Sequence, residues 1–180
     1  MSSLNLTHLR GLARIAIVAG LALGVSACLR PLHGPTASGA SLQTVMAAIE
    51  VPELDWADAQ ARIGHYLRSE LVYGLNGSGS DTTKQYVLNL SFEERLSTPI
   101  VDSISGRAQS ATLVGKLTYT LTNRDGSKVI TRGTATAEAT YDRFKQRFAT
   151  VRAARDAEIR LAKALAEQVK TRLAATLSQM

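Results

Sequence analysis

The chain has a single cysteine, Cys28, in its 180 residues. That excludes an intramolecular disulfide framework and any multi-cysteine zinc or iron–sulfur site. Histidine is nearly as scarce, with His8, His33 and His65 spread along the sequence, so a histidine-rich metal centre is poorly supplied. Nucleotide and hydrolase signatures are missing as well: there is no P-loop, no G-x-G-x-x-G, no G-x-S-x-G and no H-E-x-x-H. Neither a cofactor nor catalysis is therefore expected. No apolar run is long enough to span a bilayer comfortably. The longest, Ile15 to Val25, would reach roughly 16 Å as a helix against a hydrocarbon core of about 30 Å.

The remaining composition is that of a folding chain, with 45% apolar and 20% charged residues, and its length suits one domain. The net charge of +6 and pI near 9.8 raise the question of a polyanionic partner. Two of the positive charges, Arg10 and Arg14, precede the apolar run, and small residues Ser26-Ala27 follow it. Residues 1–27 thus read as a secretory signal. Residues 30–142 hold 10 basic and 12 acidic side chains, whereas 143–180 hold nine basic and three acidic. The positive field belongs to the C-terminal element.

The cleavage region Val25-Ser26-Ala27-Cys28 resembles the lipobox of bacterial lipoproteins. In that class the cysteine sulfur, a good nucleophile as thiolate, takes a diacylglyceryl group and the new amino terminus is acylated. Several acyl chains at about 0.8 kcal/mol per buried CH₂ make a stable anchor where one would be marginal. Leu29 stands after the cysteine where an aspartate would retain the protein at the inner membrane, so the resemblance implies outer-membrane sorting. Residues 28–41, with Pro31, Gly34, Pro35 and Gly39, read as the lipidated tether.

Residues 42–180 form the expected single domain. Val45 to Val51 is a short apolar run ended by Pro52 and reads as a strand. Asp55 and Asp58 suit the start of a helix carrying Ile63, Tyr66, Leu67, Leu71 and Leu75 at helical spacing, with its end near Gly74; Trp56 packs under its entry. Three period-two segments follow. Tyr86, Leu88, Leu90 and Phe92 mark the first; Leu113, Gly115, Leu117, Tyr119 and Leu121 the second; Ala135, Ala137, Ala139 and Tyr141 the third. Asn123-Arg-Asp-Gly126 is a hairpin turn between the last two. A long helix from about Thr150 to Leu177 carries a stripe of Leu161, Leu165, Val169, Leu173 and Leu177. The expected fold class is α+β: a two-layer sandwich, a four-stranded sheet with two helices on one face, in the order β-α-β-β-β-α. The other face, rich in Thr with Lys116, Arg132 and Glu138, is left to water or to a partner.

Among candidate sites, adjacent Glu93 and Glu94 point to opposite faces of a strand and cannot share chemistry. His65 reads as a surface side chain on the first helix. The cluster Arg143, Lys145, Arg147, Arg152 and Arg155, interleaved with Tyr141, Phe144 and Phe148, brackets the entry to the last helix. It is either a solvated basic face or an anion site at the positive end of a helix dipole. Nucleic acid fits such chemistry but not an exported, lipid-anchored protein; lipid phosphates fit both.

These pieces together resemble a known family. The lipobox followed by Cys28-Leu-Arg-Pro-Leu-His-Gly34 is close to the Cys-Gly-Phe-Arg-Pro-Leu-Tyr-Gly that often begins mature LPS-assembly lipoproteins of the LptE family, with Leu29 and His33 replacing the usual Gly and Tyr. Tyr141-Asp142, Phe148-Ala149, Ala154, Arg155-Asp156-Ala157, Arg160 and Leu165-Ala166 are similar to the family's run into its last helix. The resemblance implies a non-enzymatic outer-membrane lipoprotein of Gram-negative bacteria, lipidated at Cys28 and held on the periplasmic side by its acyl chains. Its implied partner is the β-barrel LptD, which it plugs and helps to assemble, and its cargo is lipopolysaccharide. Arg107, Arg152 and Arg155 lie about where the family's basic lipid contacts fall. A lipid-anchored α/β auxiliary protein of a phospholipid-trafficking ABC system is the alternative.

Overall fold

The computed structural model describes residues 36–180 except 38, 54–59, 78, 80, 81, 99, 100, 102, 104 and 105. The signal segment, Cys28 and most of the tether lie outside the described residues, as do Asp55, Trp56 and Asp58.

The described chain starts with a short helix, α1 (Leu42–Ala47), followed by a two-residue strand, β1 (Ile49–Glu50). This corrects the strand expected over Val45 to Val51. The Ser41 hydroxyl caps α1 by accepting the Thr44 N–H at 3.3 Å, and Leu42 and Met46, four residues apart, share its buried face. A short apolar run suits helix and strand alike, and here the cap decides for helix over its first half.

The second helix, α2 (Ala61–Asn76), buries Ile63, Leu67, Leu71 and Leu75 along the expected stripe. It runs past Gly74, which is not a terminator: a Cβ there would lie 3.2 Å from Lys170 Cδ, so this glycine admits a neighbouring helix. The stop comes at Gly77, whose φ of 51° is costly for other residues and whose N–H closes on Tyr73 O at 2.9 Å. The helix connects β1 to β2 (Tyr86–Ser97), which pair in parallel with Ile49 opposite Tyr86. A parallel pair needs such a crossover.

Two antiparallel strands complete the sheet, β3 (Ser110–Asn123) and β4 (Val129–Asp142), in the spatial order β1-β2-β3-β4. The hairpin turn falls where expected, with Gly126 at φ 73° and its N–H on Asn123 O at 2.9 Å. Asp125 accepts from the N–H and hydroxyl of Ser127, which holds its carboxyl below the usual range. The last helix, α3 (Arg147–Leu177), begins a turn earlier than the apolar stripe suggests. At 1.5 Å per residue its 31 residues reach about 46 Å. None of the helices among the described residues is apolar enough over sufficient length to cross a membrane.

The core lies between the sheet and the helices. Leu88, Leu117, Leu121, Leu161, Leu165, Val169 and Leu173 are fully buried in it. Gly115 lets α3 approach β3, because a Cβ there would come within 3.1 Å of Leu161, Leu165 and Phe92 side chains. The architecture is thus the expected α+β sandwich with a four-stranded mixed sheet, plus α1 as a third helix. On the opposite face Ser91, Glu93, Lys116, Thr118, Thr134, Thr136 and Glu138 are exposed.

Candidate functional site

α3 divides the molecule's ends. At its C-terminal end the Ser178 carbonyl accepts the Ala37 N–H at 3.2 Å, so the start of the described chain sits there. At its other end none of residues 147–156 is buried, and the helix projects beyond the core.

Around that projecting end lies a cleft of about 490 Å³. Arg107 and Gln109, just before β3, form one wall; Arg143, Phe144 and Lys145, just after β4, form another; Arg147, Thr150 and Val151 of α3 close it. Strand register makes the first two walls neighbours. Ser110 is opposite Asp142, and one step further the Arg143 N–H donates to Gln109 O at 2.8 Å. An isolated antiparallel bridge pairs Val101 with Ala108, the residue next to Arg107. Thr150 ties in the third wall, its hydroxyl accepting the Phe144 N–H at 2.9 Å and donating to Phe144 O at 3.0 Å.

Among the described residues the charged groups lining this cleft are of one sign. Four cations, Arg107, Arg143, Lys145 and Arg147, line it, and no acid lines it among the described residues. The first turn of α3 carries no acid either, and Gln146 makes no side-chain cap, so the free N–H groups there add their positive end. Beside the cations stand Phe144, Phe148 and Val151, 52%, 77% and 56% exposed. Cations with unpartnered apolar surface suit an amphiphilic anion better than a simple one.

The structure brings Arg107 to the cleft but not the other two candidate lipid contacts. Arg152 and Arg155 are exposed on α3 without lining it, and Arg155 instead donates from Nε to the Tyr66 hydroxyl at 2.8 Å. Gln109 and Thr150 carry no charge and were not legible as site residues. The turn at Asn123–Gly126 holds the one signal that leads to Arg107, because counting back along both strands sets it close to Arg143.

Elsewhere, Glu93 reaches Lys116 at 3.6 Å on the open face, while Glu94 faces the helices near Arg62 and Glu158. The two carboxylates serve opposite sides, as their adjacency requires. Arg62 and Glu158 form a two-pronged pair at 2.5 Å linking α2 to α3, which raises the Arg62 pKa. His65 is exposed on α2 with its ring tilted against Tyr66.

The family model described as LptE: Lipopolysaccharide-assembly matches residues 46–173, more than half of the chain and all of the cleft. The chain belongs to the LptE family. Of solved structures, a candidate lipoprotein from Caulobacter crescentus CB15 shares the fold with a TM-score of 0.61 at 22% identity, over 77% of this chain and 97% of that one. A minor lipoprotein from Acinetobacter baumannii is 16% identical over 71% of this chain and 90% of its own, with a TM-score of 0.42. Rare lipoprotein B from Shewanella oneidensis is 13% identical over 69% and 94%, with a TM-score of 0.45. A comparison with curated proteins finds no match. The LptE match starts at Met46, in α1, and runs nearly to the end of α3, so the matched span takes in the helices and sheet of this chain together with its basic tip.

Proposed function

We propose that this LptE-family protein is a non-catalytic outer-membrane lipoprotein, anchored on the periplasmic side by acyl chains at Cys28, that plugs and helps to assemble an LptD β-barrel and takes part in moving lipopolysaccharide to the cell surface. The observation that carries this reading is the family match across the residues that build a cleft lined by four cations with an apolar rim. Lipopolysaccharide offers what that chemistry selects, phosphates beside acyl chains. Arg107 is the lead contact, with Arg143, Lys145 and Arg147 around it; Arg152 and Arg155 add positive field from the same helix end. The open, Thr-rich sheet face suits the polar lumen of a large barrel.

Depletion of the protein tests the reading. Lipopolysaccharide should accumulate inside the outer membrane, and the protein isolated from membranes should carry LptD with it. Normal surface display together with capture of an inner-membrane permease would overturn it in favour of phospholipid trafficking.

A further inference from the structure

β4 is a 14-residue strand at one edge of the sheet, and a long, β-branched edge invites pairing with another chain. The opposite edge, β1, is only two residues long. Antiparallel residues alternate between those that exchange both backbone bonds with the neighbour and those that turn both groups away. The bond from Arg143 N–H to Gln109 O identifies the odd-numbered residues of β4 as the inward set. Thr134, Thr136, Glu138 and Thr140 therefore present their backbone groups outward.

Three side chains of α3 meet those outward carbonyls. Arg160 Nη2 donates to Thr140 O at 2.9 Å, Gln168 Nε2 donates to Thr136 O at 2.8 Å, and Arg172 Nη1 donates to Thr134 O. The spacing has a simple origin. Four helical residues advance about 6.0 Å and two strand residues about 6.8 Å, so a helix antiparallel to the strand offers one side chain per outward carbonyl. The series 160, 164, 168, 172 runs in step with 140, 138, 136, 134. Its one gap is Ala164, too short to reach Glu138.

The geometry points to an edge guard: Arg160, Gln168 and Arg172 occupy the outward acceptors of β4 and prevent a second copy of this chain from adding its own β4 there. A second copy is the occupant excluded because antiparallel β4–β4 pairing is self-complementary and would place Thr-rich strands side by side. An incoming strand would still find outward N–H groups, but its own N–H groups would have to displace the three α3 donors. The guard keeps the protein a monomer whose available surface is the open sheet face and the basic tip.

The test uses the full chain in detergent, with mass read by sedimentation and backbone protection by hydrogen exchange. The wild type is expected to be monomeric. Arg160→Ala/Gln168→Ala/Arg172→Ala should self-associate at least about tenfold more tightly, with the amides of Thr134, Thr136 and Thr140 gaining protection. Adding Thr136→Pro removes one outward donor without touching the β3 ladder and should restore the monomer. Should the triple variant fail to fold, Arg160→Met/Gln168→Met keeps side-chain length and helix propensity and should shift association the same way. A folded variant that stays monomeric, or association that survives Thr136→Pro, overturns the proposal.

Discussion

One helix of this protein contains two regions built on different rules. From Ala157 to Leu177, α3 buries nine side chains against the sheet and α2, with Leu161, Leu165, Val169, Leu173 and Leu177 fully enclosed. From Arg147 to Asp156 it buries none and carries Arg147, Arg152 and Arg155 together with exposed Phe148 and Val151. A helix unburied over nearly three turns gains little from the core there. The difference separates stability from recognition along one axis: the packed part holds the projecting part still, and the projecting part supplies charge and apolar surface to the cleft.

Breaking the packed part should have the largest effect. Leu165 is fully buried and lies over Gly115, so Leu165→Ala removes atoms from a site with little room to collapse. A loss of about 3 kcal/mol in unfolding free energy is expected, read from urea or thermal melts. At temperatures where the variant remains folded, its affinity for lipopolysaccharide should match that of the wild type. A matched loss of affinity would show that the two regions are not separable.

Changing the projecting part should do the reverse. Arg107→Glu/Arg147→Glu puts two negative charges into a cleft that has none among its described lining residues. Affinity for lipopolysaccharide should fall at least about tenfold, with stability changed by no more than about 0.5 kcal/mol because both sites are away from the core. Arg152→Glu/Arg155→Glu should weaken binding less, since neither residue lines the cleft and Arg155 is engaged with Tyr66. Equal losses from the two pairs would assign binding to the basic end as a whole and not to the cleft.

The same contrast governs what could be read before the fold was known. Buried, periodic segments were legible: Leu113, Gly115, Leu117, Tyr119 and Leu121 alternate inward as expected, and the leucines of α3 fall on one stripe. The start of α3 is not, because residues 147–149 lie outside the packed stripe. α1 reads as a strand in the sequence because an apolar run of a few residues has no resolvable period, although Ser41 is its capping signal. The helix expected to end near Gly74 ends at Asn76, and Gly74 itself is a point of contact with Lys170, which only the tertiary arrangement reveals. The basic cluster was legible as charge, yet the cleft was not, because Arg107 and Arg143 meet only through the register of β3 and β4. Arg152 and Arg155 belong to the same cluster in sequence, yet neither lines the cleft.

Between the two regions sits a junction where they can be compared under one variable, pH. Glu94 ends the apolar series of β2 on the helix side, close to Glu158 and Arg62. Burial raises its pKa, the negative charge of Glu158 raises it further, and Arg62 opposes both. A carboxyl with a raised folded pKa binds its proton more tightly in the folded state than in the unfolded one. Its charge therefore costs stability once the pH exceeds the unfolded value, and that cost disappears as the pH falls below it. Glu94→Gln should accordingly raise Tm slightly at pH 7, with the gain vanishing below about pH 4, where an ordinary glutamate of pKa near 4.3 is itself largely protonated. Because Glu94 lies outside the cleft, lipopolysaccharide affinity should not change at either pH. A variant that melts lower than the wild type at pH 7 would show that attraction to Arg62 outweighs burial, and that the carboxylate helps hold α2 to the sheet.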